Sequence, residues 1–153
     1  MSRIFAFALL AVFAASAWAQ KSPTGNVGFD NLDKNRDGYL SKEEVAGDKE
    51  MAKRFAKFDV NKKDGRWTLD DYIKAHKDND SRIAADTAIT TKVKTTLLSE
   101  KGVPSMAISV TTYESQVTLT GTVDSAAIKE QVGKVAAGVS GVKAVENKLA
   151  VKK

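Results

Sequence analysis

The chain has 153 residues, 42% hydrophobic and 28% charged, a composition that fits one or two small globular domains and excludes a disordered or fibrous polymer. It contains no cysteine and a single histidine, His76, which removes disulfide frameworks, thiol nucleophiles, cysteine-ligated zinc, iron–sulfur clusters and multi-histidine metal sites. The formal charge of +5 is unevenly spread: residues 20–80 hold 13 basic and 13 acidic side chains, whereas residues 81–153 hold 10 basic against 6 acidic.

Residues 1–19 have the form of a secretory signal peptide. Arg3 precedes an uncharged apolar run over residues 4–15, and Ala17-Trp18-Ala19 supplies the small-x-small exit that a signal peptidase needs. The run is shorter than the ~20 residues that span a bilayer, which favours cleavage after Ala19 over a membrane anchor. The mature chain is therefore expected to begin at Gln20 and to be exported, to the periplasm if the cell has one. The polar stretch Lys77-Asp78-Asn79-Asp80-Ser81 then separates an Asp-rich, aromatic-bearing part (20–78) from a Val/Thr/Ala-rich part (79–153).

The first part contains two similar acidic loops. In residues 33–44, oxygen-bearing side chains occupy loop positions 1, 3, 5, 9 and 12, with Gly38 at position 6 and Leu40 at position 8. Calcium needs a shell of roughly seven oxygens. Asp33, Asn35 and Asp37 each offer a side-chain oxygen, Tyr39 its backbone carbonyl, Ser41 a direct or water-mediated contact, and Glu44 both carboxylate oxygens. A solvated acidic turn would account for the aspartates but not for the glycine or the glutamate at these places. The second loop, Asp59 to Asp71, offers Asp59, Asn61, Asp64 and Asp71. It carries one extra residue, Lys62 or Lys63, and ends on an aspartate one methylene shorter than glutamate. Two readings stay open for it: a second calcium site, or a structural mate whose Trp67 and Leu69 pair with Tyr39 and Leu40 of the first loop.

These two loops resemble the EF-hand family over residues 26–76, in the compact spacing of bacterial pairs. The resemblance implies helices flanking each loop, with Ca²⁺ as the bound ion.

In the second part, Ile89, Val93 and Leu97 recur at helical spacing, and Asp86 is positioned to cap the helix they define. Met106, Ile108 and Val110 then alternate with Ala107, Ser109 and Thr111. After a turn at Glu114-Ser115, Val117 and Leu119 alternate with Thr118 and Thr120, so the pair reads as a β-hairpin. Asp124-Ser125 opens a second helix bearing Ile128, Val132, Val135 and Val139, and a last strand carries Val145, Asn147, Leu149 and Val151. The order αββαβ predicts two helices on one face of a three-stranded sheet, and the whole chain falls in the α+β class: a helical EF-hand pair followed by that sheet domain.

The runs Gln116-Val117-Thr118-Leu119-Thr120-Gly121-Thr122-Val123-Asp124-Ser125 and Val139-Ser140-Gly141-Val142-Lys143-Ala144-Val145-Glu146-Asn147-Lys148-Leu149 resemble the BON domain over residues 82–151. That family, found in osmotically inducible periplasmic proteins, is associated with envelope stress and with phospholipid surfaces. The resemblance implies binding rather than catalysis.

The combined expectation is a calcium-binding protein of the periplasm, not an enzyme, whose partner is an anionic phospholipid surface or an envelope protein. The alternative is a calcium-folded protein–protein adaptor without lipid binding. Nucleic acid is not expected as a partner, because the basic residues lie among Thr and Ala rather than among stacking aromatics.

Overall fold

A computed structural model describes residues 23–58 and 65–152. Residues 1–19, read above as a signal peptide, and Asp59, Asn61 and Asp64 of the second loop lie outside this set. The fold is mixed α and β. Contact density divides it into two compact units, Met1–Tyr72 and Ile73–Lys153.

In the first unit, α1 (Val27–Leu32) starts where the Asn26 side chain accepts the Phe29 N–H. Two-residue strands β1 (Leu40–Ser41) and β2 (Arg66–Trp67) pair antiparallel, Leu40 opposite Trp67 and Ser41 opposite Arg66. Ser41 also caps α2 (Lys42–Val45), and α3 (Lys49–Phe58) follows. Phe29, Leu40, Val45, Met51, Phe55 and Trp67 form the buried interior, with the Phe55 and Trp67 rings stacked at 4.9 Å and Phe29 edge-on to Tyr72 at 5.6 Å. One of the two readings of the second loop pairs Leu69 with the first loop, but Leu69 is the first residue of α4 (Leu69–Ser99), because Thr68 and Asp71 close a helix cap one residue earlier.

Helix α4 runs unbroken through the polar stretch Lys77 to Ser81, where the sequence suggests a boundary, and the unit division falls at Tyr72–Ile73 within the helix. The second unit continues with a 3₁₀ turn (Ser105–Ala107), β3 (Ile108–Tyr113), β4 (Gln116–Val123), α5 (Ala126–Ala137) and β5 (Ala144–Val151). Strand order is β3-β4-β5, antiparallel then parallel, which is the expected αββαβ arrangement. Ile89, Val93 and Leu97 of α4 and Val132 and Ala136 of α5 join Ile108, Val110, Val117, Leu119 and Leu149 in one core. Ser109, Thr111, Thr120 and Thr122 alternate with the buried positions and remain exposed.

Asp86 is the clearest departure from the sequence reading. It lies inside α4 rather than at a helix start, is 5% exposed, and accepts the backbone N–H groups of Glu114 at 2.9 Å and Ser115 at 2.8 Å. Those two residues have φ of 51° and 66°, the pair of left-handed conformations that a tight hairpin turn requires. Neither is glycine, and two hydrogen bonds to a buried carboxylate offset their steric cost. Arg82 pairs with the same carboxylate at 2.9 Å and lies 4.6 Å from the centroid of the Tyr113 ring, so its charge is compensated within the cluster.

Candidate functional site

The loop between α1 and α2 collects the polar side chains singled out in the sequence. Asp33 ends α1 and is buried; its Oδ2 accepts the Gly38 N–H at 2.8 Å and its Oδ1 the Asp37 N–H at 3.1 Å. Asn35 Oδ1 accepts the Asp37 N–H at 2.9 Å, and Asp37 Oδ1 accepts the Tyr39 N–H at 2.9 Å. The chain can wind this tightly because Arg36 and Gly38 are both left-handed, at φ 56° and 79°.

Glu44 reaches back across the loop. Its Oε1 accepts the N–H groups of Lys34 at 2.9 Å and Asn35 at 3.3 Å, and its Oε2 accepts both the backbone N–H and the hydroxyl of Ser41 at 2.9 Å. Ser41 in return accepts the Glu44 N–H, completing a capping box. Partial burial pushes the Glu44 carboxyl up, but the Ser41, Asn35 and Lys34 donors outweigh it and hold the group below its ordinary value.

Thr68 and Asp71 repeat this cap at the start of α4, where Asp71 Oδ2 accepts the Thr68 N–H at 3.1 Å and its hydroxyl at 2.8 Å. The two loops thus end alike and meet through β1 and β2. The structure brings together Asp33, Asn35, Asp37, Tyr39, Ser41 and Glu44 on one loop, and places Asp71 beside Thr68.

By donor chemistry the first loop fits a hard cation, since every side chain it offers is an oxygen donor. Among the described residues no group of three or more Asp, Glu, His or Cys side chains is gathered closely enough to hold a metal by itself. An ion bound here therefore depends on the neutral oxygens of Asn35, Ser41 and the backbone alongside the carboxylates.

Sequence reading missed Arg66. Opposite Ser41 in the strand pair, it brings its guanidinium within 3.7 Å of Asp37 Oδ2 and 4.8 Å of the Tyr39 ring centroid. The signal was the Gly-Arg-Trp order of the second loop, which gives Arg66 its register only once β1 and β2 are aligned.

In the second unit, Lys92 and Thr96 of α4 and Glu100, just past its end, line a groove together with Lys134 and Ser140. Of the lysines in this unit, Lys134 of the groove pairs with Glu130 at 2.8 Å, Lys148 with Glu146 at 2.9 Å and Lys152 with Asp124 at 2.7 Å. Among the described residues no helix is long and apolar enough to cross a membrane.

This sheet-and-helix unit is where the family similarity lies. Residues 85–153 match the BON domain family. Over 69 residues the chain is also 44% identical to osmotically-inducible protein Y of Escherichia coli (strain K12), a match that covers 45% of this chain and 34% of that protein. The chain thus spans about a third of the length of the curated relative it matches. The family match falls on the second half of the chain.

Proposed function

We propose that this is an exported, non-enzymatic envelope protein in which a calcium-binding EF-hand pair precedes a BON domain that engages anionic phospholipid. The observation that carries the envelope part is the BON match over residues 85–153, together with a relative whose name states osmotic induction. The signal-like segment before Gln20 supports a periplasmic location for the mature protein. The excess of basic residues after residue 80 supports an anionic partner surface.

Support for calcium comes from the first loop and its mate. Five oxygen-donor side chains and a left-handed Gly38 stand at the required spacing, and the β1–β2 pair joins the first loop to its mate. When bound, the ion supplies a charge that offsets the repulsion among Asp33, Asp37 and Glu44. Asp33, Asn35, Asp37, Ser41 and Glu44 with the Tyr39 carbonyl would hold it; Asp59, Asn61, Asp64 and Asp71 belong to the weaker loop.

The test uses the full mature chain. Calorimetric titration should show Ca²⁺ binding with a dissociation constant on the order of 10⁻⁵ to 10⁻³ M. Glu44→Gln should abolish the stronger transition, while Asp71→Asn should leave it in place. Co-sedimentation should occur with anionic and not with zwitterionic vesicles, without a calcium requirement. Absence of calcium heat would remove the EF-hand part; absence of vesicle binding with recovery of a protein partner would replace the lipid part by the adaptor reading.

A further inference from the structure

Alternation along the hairpin predicts that Met106 shares the buried face of Ile108 and Val110. The structure turns it outward. Pro104 opens the 3₁₀ turn, in which the Ala107 N–H bonds to the Pro104 carbonyl at 2.8 Å, and Met106 on this turn is 94% exposed. The turn is held from behind as well. Gly121 of β4, at φ 123°, lies where an added Cβ would fall on the Ala107 carbonyl oxygen, so the absence of a side chain there lets the turn seat against the sheet. The outward pose of Met106 is therefore built into the backbone on both sides.

Leu98, in the last turn of α4, is 63% exposed. Together Leu98 and Met106 flank a crevice of about 190 Å³ whose floor is Leu97, Ile108 and Val110 and which Lys94 also lines. A single exposed apolar side chain is ordinary, but two beside an apolar-floored crevice make a contiguous patch. Lys101, also exposed, lies in the turn between them along the chain. Glu100, the acidic residue of this stretch, lines the other groove with Lys92 and Lys134.

We propose that Leu98 and Met106 form an apolar wedge that enters the acyl boundary of an anionic phospholipid bilayer, with Lys94 and Lys101 meeting lipid phosphates beside it. This rests on the phospholipid reading above and adds the contact surface. Charge complementarity selects the occupant: exposed apolar side chains at a crevice lined by Lys94, with Lys101 between them in the chain, match a surface that is hydrocarbon just beneath a layer of negative charge. Two contributions with different salt responses follow, one from the lysines, which is screened, and one from the wedge, which is not.

The experiment is co-sedimentation of the full mature chain with phosphatidylcholine vesicles containing or lacking phosphatidylglycerol, at about 0.1 M and about 0.5 M salt. Wild type should bind the anionic vesicles and keep part of that binding at the higher salt. Met106→Ser and Leu98→Ser should each lower partitioning on the order of tenfold, the double variant should lose the salt-resistant part, and Met106→Leu should retain it. Lys94→Gln with Lys101→Gln should weaken binding at low salt while sparing the salt-resistant part. Wild-type binding that the serine variants reproduce undiminished would overturn the wedge and leave the lipid reading standing. No wild-type binding to either vesicle would overturn the lipid reading and the wedge with it.

Discussion

The Asp86 carboxylate accepts the Ser115 N–H at 2.8 Å across 29 positions of sequence, tying the middle of α4 to the tip of the β3–β4 hairpin. One buried side chain thereby accepts two turn amides and pairs with one nitrogen of the Arg82 guanidinium. Asp86→Ala removes all three contacts and leaves part-buried donors without their acceptor. It should cost about 3 kcal/mol of stability, whereas Asp86→Asn, which keeps one acceptor oxygen, should cost less. Chemical denaturation of the two variants checks the order, and an Ala variant as stable as wild type would contradict this role.

Gly133 and Asn147 form a second long-range device. Asn147 donates to the Lys129 carbonyl at 2.7 Å and accepts the Leu149 N–H at 3.3 Å, covering part of the outer edge of β5. A Cβ on Gly133 would come within 2.8 Å of Asn147 Nδ2. Gly133→Ala should therefore fail to deliver the gain of about 1 kcal/mol normal for a helix interior, and should deliver it once Asn147 is also alanine. A double-mutant cycle in urea reads the coupling directly; additive effects would refute it.

Arg66 places a cation beside Asp37, a carboxylate of the proposed calcium loop, at 3.7 Å between half-exposed side chains. Removing that charge should strengthen calcium binding. Arg66→Gln should tighten it about two- to fivefold, the range that a partly exposed charge contact supports, and Arg66→Lys should change it less. Calorimetry at low salt is the measurement, and weaker binding by the glutamine variant would be the contrary result.

Asp30 links the start of the described chain to α1, with its Oδ1 accepting the Thr24 N–H at 2.9 Å and the Thr24 hydroxyl at 2.8 Å. The Thr24 N–H, then its hydroxyl, hold the carboxyl below its ordinary value against a smaller opposing effect of burial. A depressed carboxyl contributes stability above its unfolded pKa of about 3.9 and loses it as pH falls through the lower folded value. The Thr24 amide resonance should shift with that acidic midpoint in an NMR titration. Asp30→Asn should abolish the shift; its persistence would exclude Asp30 as the source.

Much of this protein can be read from local sequence. Spacing alone located the first loop, because a tight turn of oxygen donors requires its glycine and its closing glutamate at set intervals. Apolar periods located the helices and strands of the second unit, because burying one face of each is what drives it to fold. Partnerships between distant residues have no such local signature. The helical continuation of α4 through residues 77–81, the register that sets Arg66 on Asp37, the use of Asp86 as a hairpin anchor and the outward turn of Met106 all follow from which backbone amide, strand or carbonyl arrives opposite them. A polar or apolar side chain carries its chemistry in the sequence, but its partner is chosen by packing, so only the tertiary structure decided what each of these residues touches.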